Sequence, residues 1–407
     1  MKLLHVLPVA LIATSASAEP LTYAEALRRA TESAPSVEAS ALEVTAARAA
    51  ERAAGKLPDP KLALGVDNYP VSGPDAGRFG DDEMTMAQIG VQQDVPNAAR
   101  RRAQVAVARA DSETAAAGAA LEARKARVAA ALAWIDLSFA EHRLASLDQL
   151  TKGLEGLWRG QPAAVASGAA RPAAGLSPAR LGAEFADRRA ELVAQVARAR
   201  AELTRWTGDP APSTAGPAPR VDIDEAALRA GLAAHPTIAA ALAANHKAIA
   251  EVDGARAAKR PDWGFEVSYG RRDPMFGDMV SAGMTMTLPI FSGSRQEPAI
   301  AARVAEAGRA RAQAEDLRRS LYAALEADLA DHEMHHEQWR RSVDVLVPTA
   351  EQTSHLEVES YGAGRAALPD VVEAMNGLAD AKLTALEREA IVVRDGARIQ
   401  LTYGSAQ

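Results

Sequence analysis

Four short segments of the chain alternate apolar and polar residues, which is the pattern of β-strands with two different faces. Two of them flank a polar turn at 271–278, and the other two flank a Gly-, Pro- and Asp-rich loop at 70–83. The sequence therefore predicts β-hairpins at about 61–95 and 262–289. The apolar face of the second hairpin carries Trp263, Phe265, Val267, Tyr269, Ala282, Met284 and Met286.

Most of the remaining chain has the composition of long helices. The stretches at 98–158 and 298–347 are rich in Ala, Arg, Glu and Leu and contain no interior proline. At about 1.5 Å per residue they would span roughly 90 and 75 Å. Small residues recur every three, four and seven positions, a spacing that lets neighbouring helices pack closely. The predicted fold class is mainly α, with long helical hairpins and four β-strands.

The predicted elements occur twice in the same order. A helical segment, a Pro-Asp pair and a hairpin lie at 26–96 and return at 227–289, about 200 residues later, as expected of an internal duplication. We expect a first repeat at 19–208, a linker at 209–224 and a second repeat at 225–407. Each repeat would contain helices, one β-hairpin and a long helical hairpin.

The N-terminus predicts export from the cytoplasm. Lys2 precedes an apolar run at 3–13 and the small residues Ala-Ser-Ala at 16–18, so residues 1–18 are interpreted as a signal peptide. The formal net charge of −7 and the absence of a basic block argue against a nucleic-acid partner. The chain has no cysteine, which excludes disulfides, thiolate metal sites and a cysteine-linked lipid anchor.

The predicted strands offer a way across a membrane that the helices do not. We expect no membrane-spanning helix after the signal, because no uncharged apolar stretch of about 18 residues follows it. Four strands cannot close a barrel, for which about eight is the minimum, so several copies would have to contribute strands. Three copies would supply twelve strands around an open lumen, whereas two would supply eight around a filled interior. For the strands taken alone, amphipathic hairpins on a soluble core are the alternative.

One motif points to a different class of function. The residues His332-Glu333-Met334-His335-His336 match the H-E-x-x-H pattern of zinc metallopeptidases, in which two histidines hold zinc and Glu333 would be the general base. The motif lies within a long charged helix, where such a run is usually a solvated surface. We expect no enzyme activity and no cofactor, and keep the peptidase as a remote alternative. His332, His335 and His336 are weak candidates for a metal site.

Six methionines lie in or beside the predicted hairpins, namely Met84, Met86, Met275, Met279, Met284 and Met286. Thioethers suit soft ions such as Cu(I), although methionine more often fills space. In a barrel, Met284 and Met286 would face lipid together with Trp263, Phe265, Val267 and Tyr269. Met84 and Met86 are possible ligands facing the lumen.

Along essentially its whole mature length, the chain resembles the TolC-like outer-membrane efflux factors. The resemblance rests on the duplication, the Pro-Asp pairs, the Val95-Pro96 and Leu288-Pro289 pairs that end the hairpins, and Trp206-Thr207-Gly208. The most specific stretch is 361–374, where a Tyr-x-x-Gly turn precedes an Asp-Val helix start.

This stretch looks like the family's periplasmic helix-hairpin tip, formed by Tyr361, Gly364, Leu368 and Asp370. In such a turn the glycine supplies backbone freedom, and the Asp370 carboxylate can cap the returning helix. The counterpart in the first repeat, near Gly168, lacks the aspartate.

The resemblance implies a homotrimeric duct in the outer membrane that performs no chemistry. It would combine a 12-stranded β-barrel in outer-membrane lipid with a long periplasmic α-barrel. Its tip would be engaged by a membrane-fusion adaptor and an inner-membrane pump, expected to be proton-driven. The first hairpin looks most like the branch that exports heavy-metal cations. A periplasmic coiled-coil spacer without a channel is the alternative, and it would be a water-soluble protein.

Overall fold

The computed structural model describes residues 20–159 and 176–404. The predicted signal peptide and Gly168 lie outside these ranges. The described chain is mainly helical with four antiparallel strands, as predicted. The elements in chain order are α1 Tyr23–Ser33, α2 Pro35–Ala53, β1 Lys61–Asp67, β2 Met86–Val95, α3 Ala98–Arg159, α4 Ser177–Thr207, α5 Glu225–Gly231, α6 Pro236–Ala257, β3 Trp263–Arg271, β4 Met279–Met286, α7 Gln296–Arg341, α8 Val347–Gly362 and α9 Leu368–Tyr403.

The described residues form two compact units. The first unit contains residues 20–38, 122–159, 176–232 and 323–404, and the second contains 39–121 and 233–322. Each unit takes segments from both predicted repeats, so the units do not coincide with the repeats. The boundaries of the repeats stay a prediction.

The first unit is organised around Trp134 of α3, whose side chain is fully buried. Its indole Nε1 donates a hydrogen bond of 2.8 Å to the carbonyl of Leu21, and its ring meets Tyr23 edge-on with centroids 5.7 Å apart. Leu21 also forms a short parallel bridge with Thr214. The beginning of the described chain is therefore held to α3 by the Trp134 hydrogen bond and aromatic packing, and to the segment after α4 by backbone pairing.

A second cluster in the same unit lies around the N-terminal halves of α4 and α9. It contains Leu147, Leu181, Phe185, Leu192, Leu368, Val372, Ala379 and Leu383.

Helix α4 ends at Thr207, and the residue that caps it, Gly208, has a φ of +71° and donates its N–H to the carbonyl of Thr204 at 2.9 Å. Glycine adopts this left-handed conformation without the steric cost that a β-carbon would add.

The helix predicted at 298–347 is not regular to its end. Helix α7 stops at Arg341, and a π-helical turn, Ser342–Leu346, connects it to α8. Pro348 explains the change, because proline lacks an N–H and its ring clashes with the carbonyl four residues earlier. Arg388 of α9 fills the widened turn, where its Nη1 donates to the carbonyl of Gln338 at 3.1 Å and to the Ser342 hydroxyl at 2.6 Å.

One segment departs from the expectation that no helix could span a membrane. Within the described residues, Glu225–Ala257 is long and apolar enough to do so by length and composition alone. The segment is not one continuous α-helix, because a 3₁₀ turn at Leu232–Ala234 separates α5 from α6. Alanine accounts for much of its apolar character, and it also carries the charged residues Lys247 and Glu251.

Candidate channel-forming sheet and helical tip

All four strands belong to the second unit and form one antiparallel sheet in the order β1-β2-β3-β4. Residues directly opposite each other in antiparallel strands point to the same side of the sheet. The register therefore assigns each strand residue to one of two faces. The central row on one side consists of Leu62, Val91, Val267 and Ala282, and the row beside it of Leu64, Ile89, Tyr269 and Val280.

We call this side the apolar face. Its remaining rows are Val66, Ala87 and Arg271; Gln93, Phe265 and Met284; and Val95, Trp263 and Met286. The large side chains are open to the surroundings, since Leu64 is 72% exposed, Val267 56% and Met284 62%. The predicted outer-face residues all lie on this face, where Trp263 is half-buried and the others are exposed.

We call the opposite side the polar face. Its rows are Lys61, Gln92, Glu266 and Gly283; Ala63, Gly90, Ser268 and Ser281; Gly65, Gln88, Gly270 and Met279; Asp67 and Met86; and Asp94, Gly264 and Thr285. Lys61 and Asp94 form an ion pair of 2.7 Å, and Gln88 donates to the hydroxyl of Ser268 at 2.7 Å. The sheet can thus present hydrocarbon to lipid on one side and polar groups to water on the other.

The two outer strands leave backbone groups for further pairing. In the described chain, β1 pairs only with β2 and β4 pairs only with β3. Every residue of β4 is exposed. An open sheet edge is avoided in proteins because it invites pairing with another chain, and in lipid each unpaired backbone group would be destabilising by several kcal/mol.

The Pro-Asp motif of the second hairpin has a structural role at the base of the sheet. Asp262 Oδ1 accepts hydrogen bonds from the backbone N–H and the side-chain amide of Asn97, both at 2.8 Å. Asp262 also forms an ion pair of 2.5 Å with Arg100. Asn97 in turn caps α3 by accepting the N–H of Arg100 at 2.9 Å. The start of β3 is thereby fixed to the start of α3.

The predicted tip lies in the first unit, where α8 turns into α9. Gly364 has a φ of +70° and donates its N–H to the carbonyl of Tyr361 at 3.0 Å. Asp370 Oδ2 accepts the backbone N–H of Ala367 at 2.8 Å, which is the capping role expected from the sequence. Leu368 is buried in the cluster around α4, and Tyr361 packs against that cluster. Arg365 is exposed at the turn, although the sequence did not single it out.

The Asp370 cap gives a first testable prediction. Asp370→Ala removes the acceptor for the Ala367 N–H and should lower the free energy of unfolding by about 1 kcal/mol. Asp370→Asn retains a carbonyl oxygen and should lose less stability. Thermal unfolding of the purified protein followed by circular dichroism measures both. Equal losses for the two variants would contradict a role of the side chain in capping.

The three candidate metal-binding histidines of α7 do not converge. His335 Nδ1 lies 2.7 Å from Asp395 Oδ2 of α9, so this ring is engaged with a carboxylate. The rings of His332 and His336 have centroids 6.4 Å apart, and His336 packs on Trp339. Burial lowers the pKa of His332. Residues 20–159 and 176–404 contain no group of three His, Asp or Glu side chains arranged to hold a metal ion.

The methionines divide between the two faces of the sheet. Met284 and Met286 lie on the apolar face, as predicted for a barrel, and Met86 lies on the polar face. Met84 precedes β2 and is exposed in the loop. Met279 is on the polar face opposite Gly270, a face to which the sequence analysis did not assign it. Extending the alternation of β4 by two residues towards the N-terminus would have found it.

Comparison with known proteins finds a family match in the second half of the chain. Residues 227–405 match the family model described as "Outer membrane efflux protein". No curated protein matches the chain.

Solved structures match nearly the whole chain. A membrane protein from Pseudomonas aeruginosa has a TM-score of 0.81 at 18% identity, covering 94% of this chain and 93% of that one. CusC, in a study of folding and transmembrane channel formation, has a TM-score of 0.80 at 14% identity, covering 94% and 92%. The open state of the Neisseria gonorrhoeae MtrE outer membrane channel has a TM-score of 0.79 at 17% identity, covering 94% and 88%. The chain therefore has the same fold as these three proteins.

Proposed function

We propose that this chain is a TolC-like outer-membrane efflux factor and that it works as a homotrimeric duct that carries substrate out of the periplasm without performing chemistry. CusC, whose fold this chain shares, undergoes conformational changes that accompany folding and transmembrane channel formation, which is the role proposed here. The duct would be passive, and a pump would supply the energy for transport.

The observation that carries the proposal is the four-stranded sheet, with its exposed apolar face and its two unpaired outer strands. An even number of antiparallel strands lets β4 of one copy pair with β1 of the next while the up-down alternation continues. Three copies would close a barrel of twelve strands, wide enough for a water-filled lumen. The apolar face would then contact lipid, and the polar face would line the lumen.

The proposed partners are a periplasmic membrane-fusion adaptor and an inner-membrane pump, expected to be proton-driven. We propose that the adaptor contacts the tip around Tyr361, Gly364 and Asp370, and that Gly168 belongs to the corresponding turn of the first repeat. Leu368 would affect adaptor binding only indirectly, because it is buried beneath the turn. We propose heavy-metal cations as the cargo because of the sequence of the first hairpin.

Reconstitution tests the proposed duct. We expect protein extracted from outer membranes in detergent to run as a trimer and to give ion conductance after insertion into a planar lipid bilayer. On a gel, heating should replace the trimer band with a monomer band, because the β-barrel assembly unfolds. A monomer that stays in aqueous solution without detergent would overturn the proposal and favour a periplasmic spacer.

A further inference from the structure

We propose that Met86 and Met279 form a thioether site for a soft monovalent cation, Cu(I) or Ag(I), on the polar face of the sheet. The inference rests on the proposed function in one respect, because it takes the polar face to line the lumen. It adds a class of cargo ion and the two side chains that would contact that ion.

The two methionines flank the same glycine. Gly270 of β3 is the direct pairing partner of Met279 on β4 and of Gln88 on β2. A β-carbon added to Gly270 would lie 2.5 Å from Met86 Sδ, so this sulfur occupies the space above the glycine. Directly opposed residues of antiparallel strands lie about 5 Å apart at their α-carbons. The flexible Met279 side chain starts at that distance and can reach the same space.

The position of these methionines is unusual for residues that merely fill a core. Among the strand residues assigned to the polar face, Met86 and Met279 carry the only large apolar side chains, while the others are charged, polar or small. Met279 is 44% exposed. An apolar side chain left on a surface that faces water gains little from the hydrophobic effect. Metal binding gives the two sulfur atoms a function in this place.

The chemistry of the pair favours soft ions over hard ones. Thioethers are neutral, polarizable donors that select Cu(I)-like ions over Mg²⁺ or Ca²⁺. A neutral pair needs no deprotonation, so binding should depend little on pH. A conduit must also release its cargo, and weak sites repeated around a lumen permit conduction where tight sites would block it. Threefold symmetry would repeat the pair three times in the proposed trimer.

The chain contains a matched control for the test. The variant Met86→Leu/Met279→Leu removes the polar-face sulfurs while nearly preserving volume, and Met284→Leu/Met286→Leu removes two sulfurs from the apolar face. Purified protein in detergent would be titrated with Ag⁺ by calorimetry and with Cu(I) in competition with a chromophoric chelator. We expect the polar-face variant to lose this binding, because both donor sulfurs are gone, and the apolar-face variant to bind like the unmodified protein.

Two further variants keep the test decisive. Met279→Leu alone changes an exposed side chain and serves if the double variant assembles poorly. Gly270→Ala places a methyl group against Met86 Sδ and should weaken Ag⁺ binding without removing any sulfur. Equal affinity of the polar-face and apolar-face variants would overturn the inference. Trimer formation and bilayer conductance of the same samples report on the duct separately, so loss of metal binding with normal conductance would overturn only the metal site.

Discussion

Ala282→Arg should abolish assembly of the protein in the outer membrane, whereas Ser281→Arg on the same strand should leave assembly intact. Ala282 lies in the central row of the apolar face, beside Val267, and Ser281 lies on the polar face. Both are exposed, so neither substitution disrupts a packed core. An arginine facing the middle of a bilayer destabilises a β-barrel by about 2–4 kcal/mol, and a trimer would carry three of them.

The measurement compares the two variants in membrane fractions. We expect heat-sensitive trimer for Ser281→Arg and for the unmodified protein, and degraded or aggregated monomer for Ala282→Arg. Growth in the presence of an exported toxic substrate should follow the amount of trimer. Equal trimer levels for both arginine variants would contradict the assignment of the apolar face to lipid.

Trp134→Ala should be the most destabilising single truncation in the first unit. Its indole is fully buried, packs against Tyr23 and donates to the carbonyl of Leu21. Removing a buried tryptophan lowers the free energy of unfolding by about 3–5 kcal/mol, because apolar contacts are lost and a cavity remains. The Leu21 carbonyl would also lose a donor.

Trp134→Phe separates packing from hydrogen bonding. It keeps an aromatic ring but removes the N–H, so we expect it to retain at least half of the stability that Trp134→Ala loses. Denaturant unfolding of purified protein, followed by tyrosine and tryptophan fluorescence and by circular dichroism, gives both values. A loss below 1 kcal/mol for Trp134→Ala, roughly the value of a single hydrogen bond, would contradict a central packing role.

The strands were the most predictable part of the fold, because alternation is a local property. The sequence assigned Phe265, Val267 and Tyr269 to one face, and the observed register brings all three into rows with apolar partners. The pairing of β2 with β3 joins segments about 180 residues apart, and only the structure shows it. The capping by Asp370 was likewise predictable, because its partner, the N–H of Ala367, is only three residues away in the sequence.

Other features escaped prediction because they depend on distant partners. The function of Asp262 could not be read from its Pro-Asp motif, since Asn97 and Arg100 are its partners across the base of the sheet. The H-E-x-x-H match is the converse case, a local motif whose function would need a distant third ligand. The spacing of His332 and His336 suits zinc, but residues 20–159 and 176–404 contain no group of three His, Asp or Glu side chains arranged to hold a metal ion. Whether these histidines bind any metal stays a prediction.

The π-helical turn at Ser342–Leu346 restricts how α7 and α9 can move past each other. Arg388 reaches from α9 into the widened turn and bonds both Gln338 and Ser342. Sliding of one helix along the other would withdraw the guanidinium and break both of its hydrogen bonds. The contact therefore opposes axial translation of α9 along the end of α7.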